Sequence, residues 1–342
     1  MEKLNWGIMG LGTIAQKFSE AFAESQNANL LAVSSKNLEK LKTFKDQFQI
    51  KEKYLFNNYE DLINCKDVDI IYIALPNSFH HYWAIQSILN KKNVLVEKPI
   101  TLNFKEAQDI EKNLLNKNLF FGEAFMYRHH PQIDLIIKII KNDEIGNLKS
   151  MDSLFGFNIL TKKKFIFFNK KRKIDKNNRL FNKELGGGCI LDLGCYPSSF
   201  SLLIQSLIEK PNLAKIKISN VVKEINETGV EVDSGAEISF DATFKSKIKA
   251  SFKENLGNKS IIYGETGKLI IDNTWLGSNN IVKINKNGSN TITLANKKNI
   301  YSYQIENIIK NIINNNLKNE FPAMSLEESL LNMKILDDWI KA

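Results

Sequence analysis

Lys98 is the residue whose setting gives it the clearest chemical opportunity. It follows the apolar run Asn93-Val94-Leu95-Val96 and Glu97, and it precedes Pro99, whose ring fixes the local backbone. A lysine at the end of a buried strand aims its ammonium into a cleft, where partial desolvation lets it polarise a carbonyl or hold a hydroxyl. A lone lysine in a loop is ordinarily a solvated charge, so the weight of this reading comes from its neighbours. Asp192 and Tyr196 form a second pair, four positions apart and therefore on one face of a helix that begins near Leu191. A phenol titrates near ~10, so Tyr196 needs a nearby cation such as Lys98 to exchange a proton near neutrality. Without one it is a core aromatic with a satisfied hydroxyl.

These groups need a scaffold, and the start of the chain supplies a sign of it. Leu4 to Met9 is a short apolar run that ends in Gly10-Leu11-Gly12-Thr13-Ile14-Ala15, and Ile14, Phe18, Ala21 and Phe22 continue at helical spacing. In a strand, turn and helix of this kind the first glycine permits the bend. The second lets the backbone approach a pyrophosphate seated on the helix N-terminus, and a small residue such as Ala15 lets helix and strand pack closely. This is the fingerprint of a dinucleotide-binding Rossmann turn, with Gly10, Gly12, Thr13 and Ile14 the expected contacts.

The second strand, Leu30 to Ser34, should end beside the adenosine ribose, where an NAD site usually places a carboxylate. The sequence instead reads Ser34-Ser35-Lys36-Asn37. Ser35 and Lys36 offer a hydroxyl and a cation to a 2′-phosphate, which favours NADP, with NAD the alternative. Tyr54-Leu55-Phe56, Val68 to Ala74 and Asn93 to Val96 continue the alternation with helices, so the first part is a doubly wound parallel sheet. Ligands of such sheets lie beyond the C-terminal strand ends. Two segments occupy those ends: Leu75-Pro76-Asn77-Ser78-Phe79-His80 and Glu97-Lys98-Pro99.

At these residues the chain resembles the glucose-fructose oxidoreductase, inositol dehydrogenase and rhizopine catabolism family of dehydrogenases. The marks are the Gly10-to-Ala15 turn, Ala74-Leu75-Pro76-Asn77 with His80, and Glu97-Lys98-Pro99. Further on come Glu123-Ala124-Phe125-Met126-Tyr127-Arg128-His129-His130-Pro131, then Arg179-Leu180-Phe181 leading into Gly186-Gly187-Gly188 and on to Asp192 and Tyr196. The resemblance implies a catalytic role for Lys98, with Tyr196 as its proton partner and Asp192 in support. Many relatives carry a histidine at the position of Tyr196. The tyrosine version is similar to dimeric dihydrodiol dehydrogenases and glucose-fructose oxidoreductase. Leu75, Pro76, Asn77, Glu97 and Lys98 are implied as cofactor-proximal, His80 as a structural or cofactor-proximal group, and Arg128 as an anchor near the domain crossing that reaches cofactor or substrate.

Length and composition agree with an enzyme of two domains. At 342 residues the chain exceeds the usual size of one core, and 43% hydrophobic residues with 6 prolines describe a folded protein. The division expected is 1–122 for dinucleotide binding and 123–342 for an α+β domain. Its segments Leu148 to Asn158, Lys215 to Asn226, Ala236 to Phe244, Ile248 to Glu254, Ser260 to Gly264 and Lys268 to Asp272 read as antiparallel strands. Leu326 to Ile340 reads as a helix that returns toward the domain junction. One face of such a sheet needs a cover, and relatives commonly pair these sheets, so a homodimer or higher oligomer is expected.

The net charge of +9 owes much to residues 162–173, where lysines and an arginine interleave with aromatics. A single-strand-binding surface can look like this, but in a chain rich in lysine and asparagine throughout the run reads as a solvated loop, and no nucleic-acid partner is expected. Val68 to Leu75 and Asp134 to Ile140 are the longest apolar stretches and are too short to cross a membrane. The N-terminus has no signal-peptide pattern, and three cysteines without zinc spacing suit a reducing compartment, so the location expected is cytoplasmic. His129 and His130 lack companions at ligand spacing, and no metal is expected.

The reading is reversible hydride transfer between NADP(H) and a CH-OH carbon of a sugar, polyol or trans-dihydrodiol. A sugar-nucleotide dehydrogenase is the near alternative, and a non-catalytic dinucleotide-binding regulator the distant one.

Overall fold

The computed structural model describes residues 3–165, 168–171, 174–240, 244–277, 280–295 and 298–342. The chain divides into two units, Met1–His130 with Lys297–Leu330, and Pro131–Asn296 with Leu331–Ala342.

In the first unit six strands lie parallel: β1 (Leu4–Met9), β2 (Ala28–Ser34), β3 (Leu55–Phe56), β4 (Ile70–Ile73), β5 (Asn93–Val96) and β6 (Phe121–Glu123). Their order is β3-β2-β1-β4-β5-β6, the doubly wound arrangement in which the strand sequence reverses beside β1. The near-continuous apolar runs have their reason here, because a parallel sheet covered on both faces buries alternate side chains on each side. Ile70, Ile71, Tyr72 and Ile73 are all inaccessible to solvent. The connecting helices are α1 (Thr13–Glu20), α2 (Leu38–Phe48), α3 (Tyr59–Asn64), α4 (His80–Leu89) and α5 (Phe104–Leu114). Asn37, Asn58 and Asn103 begin α2, α3 and α5 with side-chain caps on the backbone N–H three residues on.

Pairing fixes a common level across this sheet. Phe56, Ser34, Met9, Ile73, Val96 and Glu123 are successive register partners, so they form one row at the C-terminal edge. The residues expected to bind cofactor begin immediately beyond it.

Residues 298–330 complete the same unit. Their helix, Ile300–Ile313, was not anticipated by the sequence reading. Its Tyr301 meets Phe18 edge-on at 5.9 Å, and Phe18 stacks on Tyr72 at 3.9 Å. Ser302 Oγ and the Asn299 N–H both donate to Glu24 Oε2 at 2.8 Å.

The second unit opens with helix α6 (Pro131–Lys141). Its sheet contains β7 (Leu148–Gly156), β10 (Lys217–Ile225), β11 (Glu231–Ser239), β12 (Lys245–Ser251), β13 (Ser260–Gly264), β14 (Gly267–Ile271), β15 (Asn280–Asn285) and β16 (Gly288–Thr293); β8 (Thr161–Phe165) and β9 (Phe168–Lys171) form a separate hairpin. All neighbours in the eight-stranded sheet are antiparallel except β12 and β7. Burial alternates strictly along β11, as a half-covered strand requires. The basic run expected as a loop thus contains paired backbone over 161–165 and 168–171, while 166–167 and 172–173 lie outside the described residues.

Helix α7 (Cys195–Gln205) is wholly buried on the inner side, with Phe200 edge-on to Trp275 at 5.8 Å. The helical run Lys183–Gln205 is long and apolar enough to cross a membrane by length and composition, which the sequence reading did not foresee; 94% of its 18-residue apolar window is enclosed by the protein, as in a core helix. Helices α8 (Ile300–Ile313, above) and α9 (Leu326–Lys341) close the chain, and the division between units falls after Leu330.

Candidate functional site

The turn after β1 has the form a pyrophosphate needs. Gly10 has a φ of +89°, and a Cβ there would lie 2.6 Å from Leu75 Cδ2 and 2.8 Å from the Ala74 carbonyl oxygen. Only glycine meets both demands. At Gly12 an added Cβ would meet nothing within 4 Å, so the space above the start of α1 is open. No side chain caps this helix, which leaves the first-turn N–H groups and the positive end of the dipole directed there. Thr13 and Ile14 are exposed at that terminus, and Ala15 is buried against the sheet.

Beyond β2, Ser34 is buried and donates its hydroxyl to the Asn58 carbonyl at 2.6 Å. Ser35, also buried, accepts from the Asn37 N–H at 3.1 Å and keeps its own proton to donate. Lys36 is exposed. No carboxylate occurs between Ser34 and Asn37, so the position that would exclude a 2′-phosphate is polar and cationic instead.

The ends of β4 and β5 are tied together by one imidazole. His80 has no solvent exposure; its Nδ1 lies 2.8 Å from the Pro99 carbonyl oxygen and its Nε2 2.8 Å from that of Leu75. Leu75 and Pro76 are half-buried and Asn77 is buried at the head of a short turn, Asn77–Phe79. Glu97 Oε1 accepts from the Tyr72 hydroxyl, and Glu97 Oε2 from the Lys98 N–H at 3.3 Å. Lys98 is half-buried. The next backbone N–H, that of Ile100, donates to Glu123 Oε1 at 2.8 Å. Burial pushes the Glu123 carboxyl up to about 7, against the opposing pull of the Ser329 hydroxyl, the Ile100 amide and the Arg128 charge.

Arg128 lies in the interior of the first unit. It is inaccessible to solvent and donates to the Tyr127 hydroxyl at 3.2 Å, the Pro322 carbonyl at 3.1 Å and Glu328 Oε1 at 3.3 Å. Its charge and burial together hold the His129 imidazole down to about 3, burial being the larger cause. His129 Nδ1 lies 3.2 Å from the Asn307 amide, and His130 packs edge-on against Tyr303.

In the second unit the glycine-rich segment is shaped by close approach. A Cβ at Gly187 would stand 2.8 Å from the carbonyl oxygens of Arg179, Leu180 and Asn182. This contact brings the Arg179–Phe181 turn against the helical segment that follows, and Arg179 NH1 donates to Asp192 Oδ1 at 3.1 Å. The helix starts one turn earlier in the chain than α7 itself, as a wide π-helical turn over Ile190–Gly194. Asp192 lies on that turn and Tyr196 in the first turn of α7. The Tyr196 ring is edge-on to Phe155 at 5.2 Å and 5.7 Å from Trp275, so the phenol is held on a fixed aromatic support.

The structure therefore brings together Gly10, Gly12, Ser35, Leu75, Asn77, His80, Glu97 and Lys98 along one sheet edge of the first unit, and Asp192 with Tyr196 on one helical segment of the second. Glu123 and Arg179 have contacts at these sites that the sequence reading did not assign. Both lay within motifs it quoted, but burial and partner choice are tertiary facts.

Comparison with known proteins places this geometry. The profile described as "Oxidoreductase family, NAD-binding Rossmann fold" matches residues 4–124, and that of the "GFO/IDH/MocA C-terminal domain" matches residues 134–270. A trans-1,2-dihydrobenzene-1,2-diol dehydrogenase from Xenopus tropicalis is 26% identical over 341 residues, covering 97% of this chain and 96% of its own. The protein of the same name from Mus musculus is 27% identical over 346 residues, covering 99% and 96%. Among solved structures, an aldose-aldose oxidoreductase from Caulobacter crescentus aligns with a TM-score of 0.84 at 21% identity over 100% of this chain and 97% of its own. A 3-ketoreductase from Actinomadura kijaniata, solved with NADP and TDP-benzene, aligns at 0.83 and 20% identity over 98% and 96%. With both of its domains matched in order, the chain belongs to the GFO/IDH/MocA family of NAD(P)-dependent oxidoreductases.

Proposed function

We propose that the protein transfers a hydride between NADP(H) and the CH-OH carbon of a sugar, cyclic polyol or trans-dihydrodiol, with Lys98 as the cation at the reacting oxygen. The register row Ser34–Met9–Ile73–Val96 carries this reading. The open helix terminus at Gly12, the Ser35 and Lys36 corner and Lys98 all begin just beyond that one row, so a single extended ligand along the edge would meet all of them. Strands lie about 4.8 Å apart, so the ends of β2 and β5 are separated by roughly 14 Å along it. The Gly10–Ile14 backbone would hold the pyrophosphate, and Ser35 with Lys36 the 2′-phosphate. The nicotinamide, when bound, gives or takes the hydride.

Lys98 polarises the substrate oxygen and favours its anionic form. Tyr196 moves the proton through its phenol, held on Phe155 and Trp275. Asp192 orients the substrate and is itself fixed by Arg179. Arg128 serves as an internal anchor, because its donors are already engaged by Tyr127, Pro322 and Glu328. The full-length similarity to dihydrodiol dehydrogenases supports this substrate class over nucleotide sugars. On the outward side of the large sheet, Ile261, Ile270 and Val282 form a half-buried cross-strand row that suits pairing with a second copy.

The test is NADPH formation from NADP⁺ with trans-1,2-dihydrobenzene-1,2-diol and a panel of free and nucleotide-linked sugars. Lys98→Ala should lower turnover on the accepted substrate by about 10²-fold or more. Unchanged turnover removes Lys98 from the chemistry. Tight NADPH binding with no turnover across the panel identifies a regulator instead.

A further inference from the structure

The side chain of Lys98 is useful only if it leaves the backbone in one direction. The next peptide group supplies the means. The carbonyl of Pro99 and the N–H of Ile100 belong to one rigid plane. Each end of that plane meets a buried side chain: the oxygen lies 2.8 Å from His80 Nδ1, and the N–H donates to Glu123 Oε1 at 2.8 Å. His80 is 0% exposed and Glu123 1%. The proline ring locks φ of Pro99. A single soft torsion, ψ of Pro99, therefore lies between the clamped plane and the Lys98–Pro99 peptide.

We infer that His80 and Glu123 are positioning residues that grip the Pro99–Ile100 peptide at its two ends and thereby set the direction of the Lys98 side chain. This rests on the reading of Lys98 given above. A plane held at one end swings about that contact; held at both, it does not. His80 does a second task with its other nitrogen, which faces the Leu75 carbonyl at 2.8 Å and so couples the loop after β4 to the loop after β5. Both neighbours of the ring are carbonyl oxygens, so a ring nitrogen that carries a proton donates to the one it faces. A buried imidazole and a buried carboxyl are costly core residues unless their hydrogen bonds are made. Their placement on a single peptide explains why those costs are tolerated here.

The experiment uses the full chain and an amine-acylating reagent, with acylation of Lys36 and Lys98 followed by peptide mass spectrometry with and without NADP⁺. In the wild type NADP⁺ should protect both lysines. In His80→Leu and Glu123→Leu the protection of Lys98 should be lost while that of Lys36 persists. His80→Gln, which still donates to a carbonyl, and Glu123→Gln, which still accepts from Ile100, should restore it. Undiminished protection of Lys98 in the leucine variants overturns the inference, and so does loss of Lys36 protection together with it, because the whole unit has then changed. If Lys98 in the wild type is acylated equally with and without NADP⁺, the reading of Lys98 itself fails and takes the clamp with it. Failure of the clamp alone leaves wild-type protection intact.

Discussion

Glu328 lies 200 positions after Arg128 in the chain and places Oε1 3.3 Å from its NH1, against a guanidinium with no exposure to solvent. The same guanidinium donates to the Pro322 carbonyl at 3.1 Å, so one side chain secures the returning segment twice. Removing it leaves the mostly buried Glu328 carboxylate without its counter-charge and the Pro322 carbonyl without this donor. Arg128→Ala should destabilise the protein by about 3–5 kcal/mol, read as a fall in the urea midpoint. A loss near zero would show that the pair is decorative.

Glu123 gives stability a pH dependence with a definite sign. Its ordinary pKa of 4.5 rises to about 7 on folding. Between these values the folded chain keeps a proton that the unfolded chain has released, so the contribution of this group falls as pH rises through that window. The fall amounts to about 3 kcal/mol. His129 acts in the opposite sense: folding lowers it from 6.5 to about 3, so stability is lost as pH drops below the higher value. Comparing Glu123→Gln with wild type isolates the first term. The variant should gain on wild type steadily from about pH 4.5 to about pH 7, and parallel stability curves would contradict this.

Two glycines of the first turn should respond differently to alanine. At Gly10 the added methyl meets Leu75 and the Ala74 carbonyl, and φ is +89°. Gly10→Ala should therefore lower both thermal stability and NADPH affinity, with a cost of at least about 1 kcal/mol. At Gly12 the methyl enters open space. Gly12→Ala should leave the melting temperature of the free protein nearly unchanged while weakening NADPH binding by about tenfold or more, the equivalent of ~1.4 kcal/mol. Fluorescence titration beside a melting curve separates the two.

Tyr196→Phe keeps the ring against Phe155 and Trp275 and removes only the hydroxyl. Stability should change by about 1 kcal/mol at most, while turnover drops by about 10² to 10⁴. Retained turnover would assign the proton to another group.

How far the sequence disclosed all this depended on the range of the interaction. Asn93–Val96 and Ser260–Gly264 are strands with the bounds their apolar patterns suggested, because local pattern and burial agree there. The glycine turn was legible for the same reason: its demands are those of the local backbone. Ile300–Ile313 was overlooked although Tyr301, Ile305, Ile308 and Ile309 carry helical spacing, and all four are buried. Strands Asn280–Asn285 and Gly288–Thr293 were hidden by asparagine, lysine and serine, which seldom mark strands. Arg128 and Glu123 were visible as motif letters, but their tasks come from Glu328, Pro322 and Ile100, and no local pattern announces partners at such separations.

The return of residues 298–330 to the first unit also fixes an order of events at the ribosome. The six parallel strands emerge first, but the helix that covers Phe18 and the carboxylate that neutralises Arg128 come only after the eight-stranded sheet has been synthesised. Until then Arg128 lacks both its counter-charge and the Pro322 carbonyl it donates to. The apolar flank of the nascent nucleotide-binding unit is left for a chaperone or a neighbouring nascent chain to find.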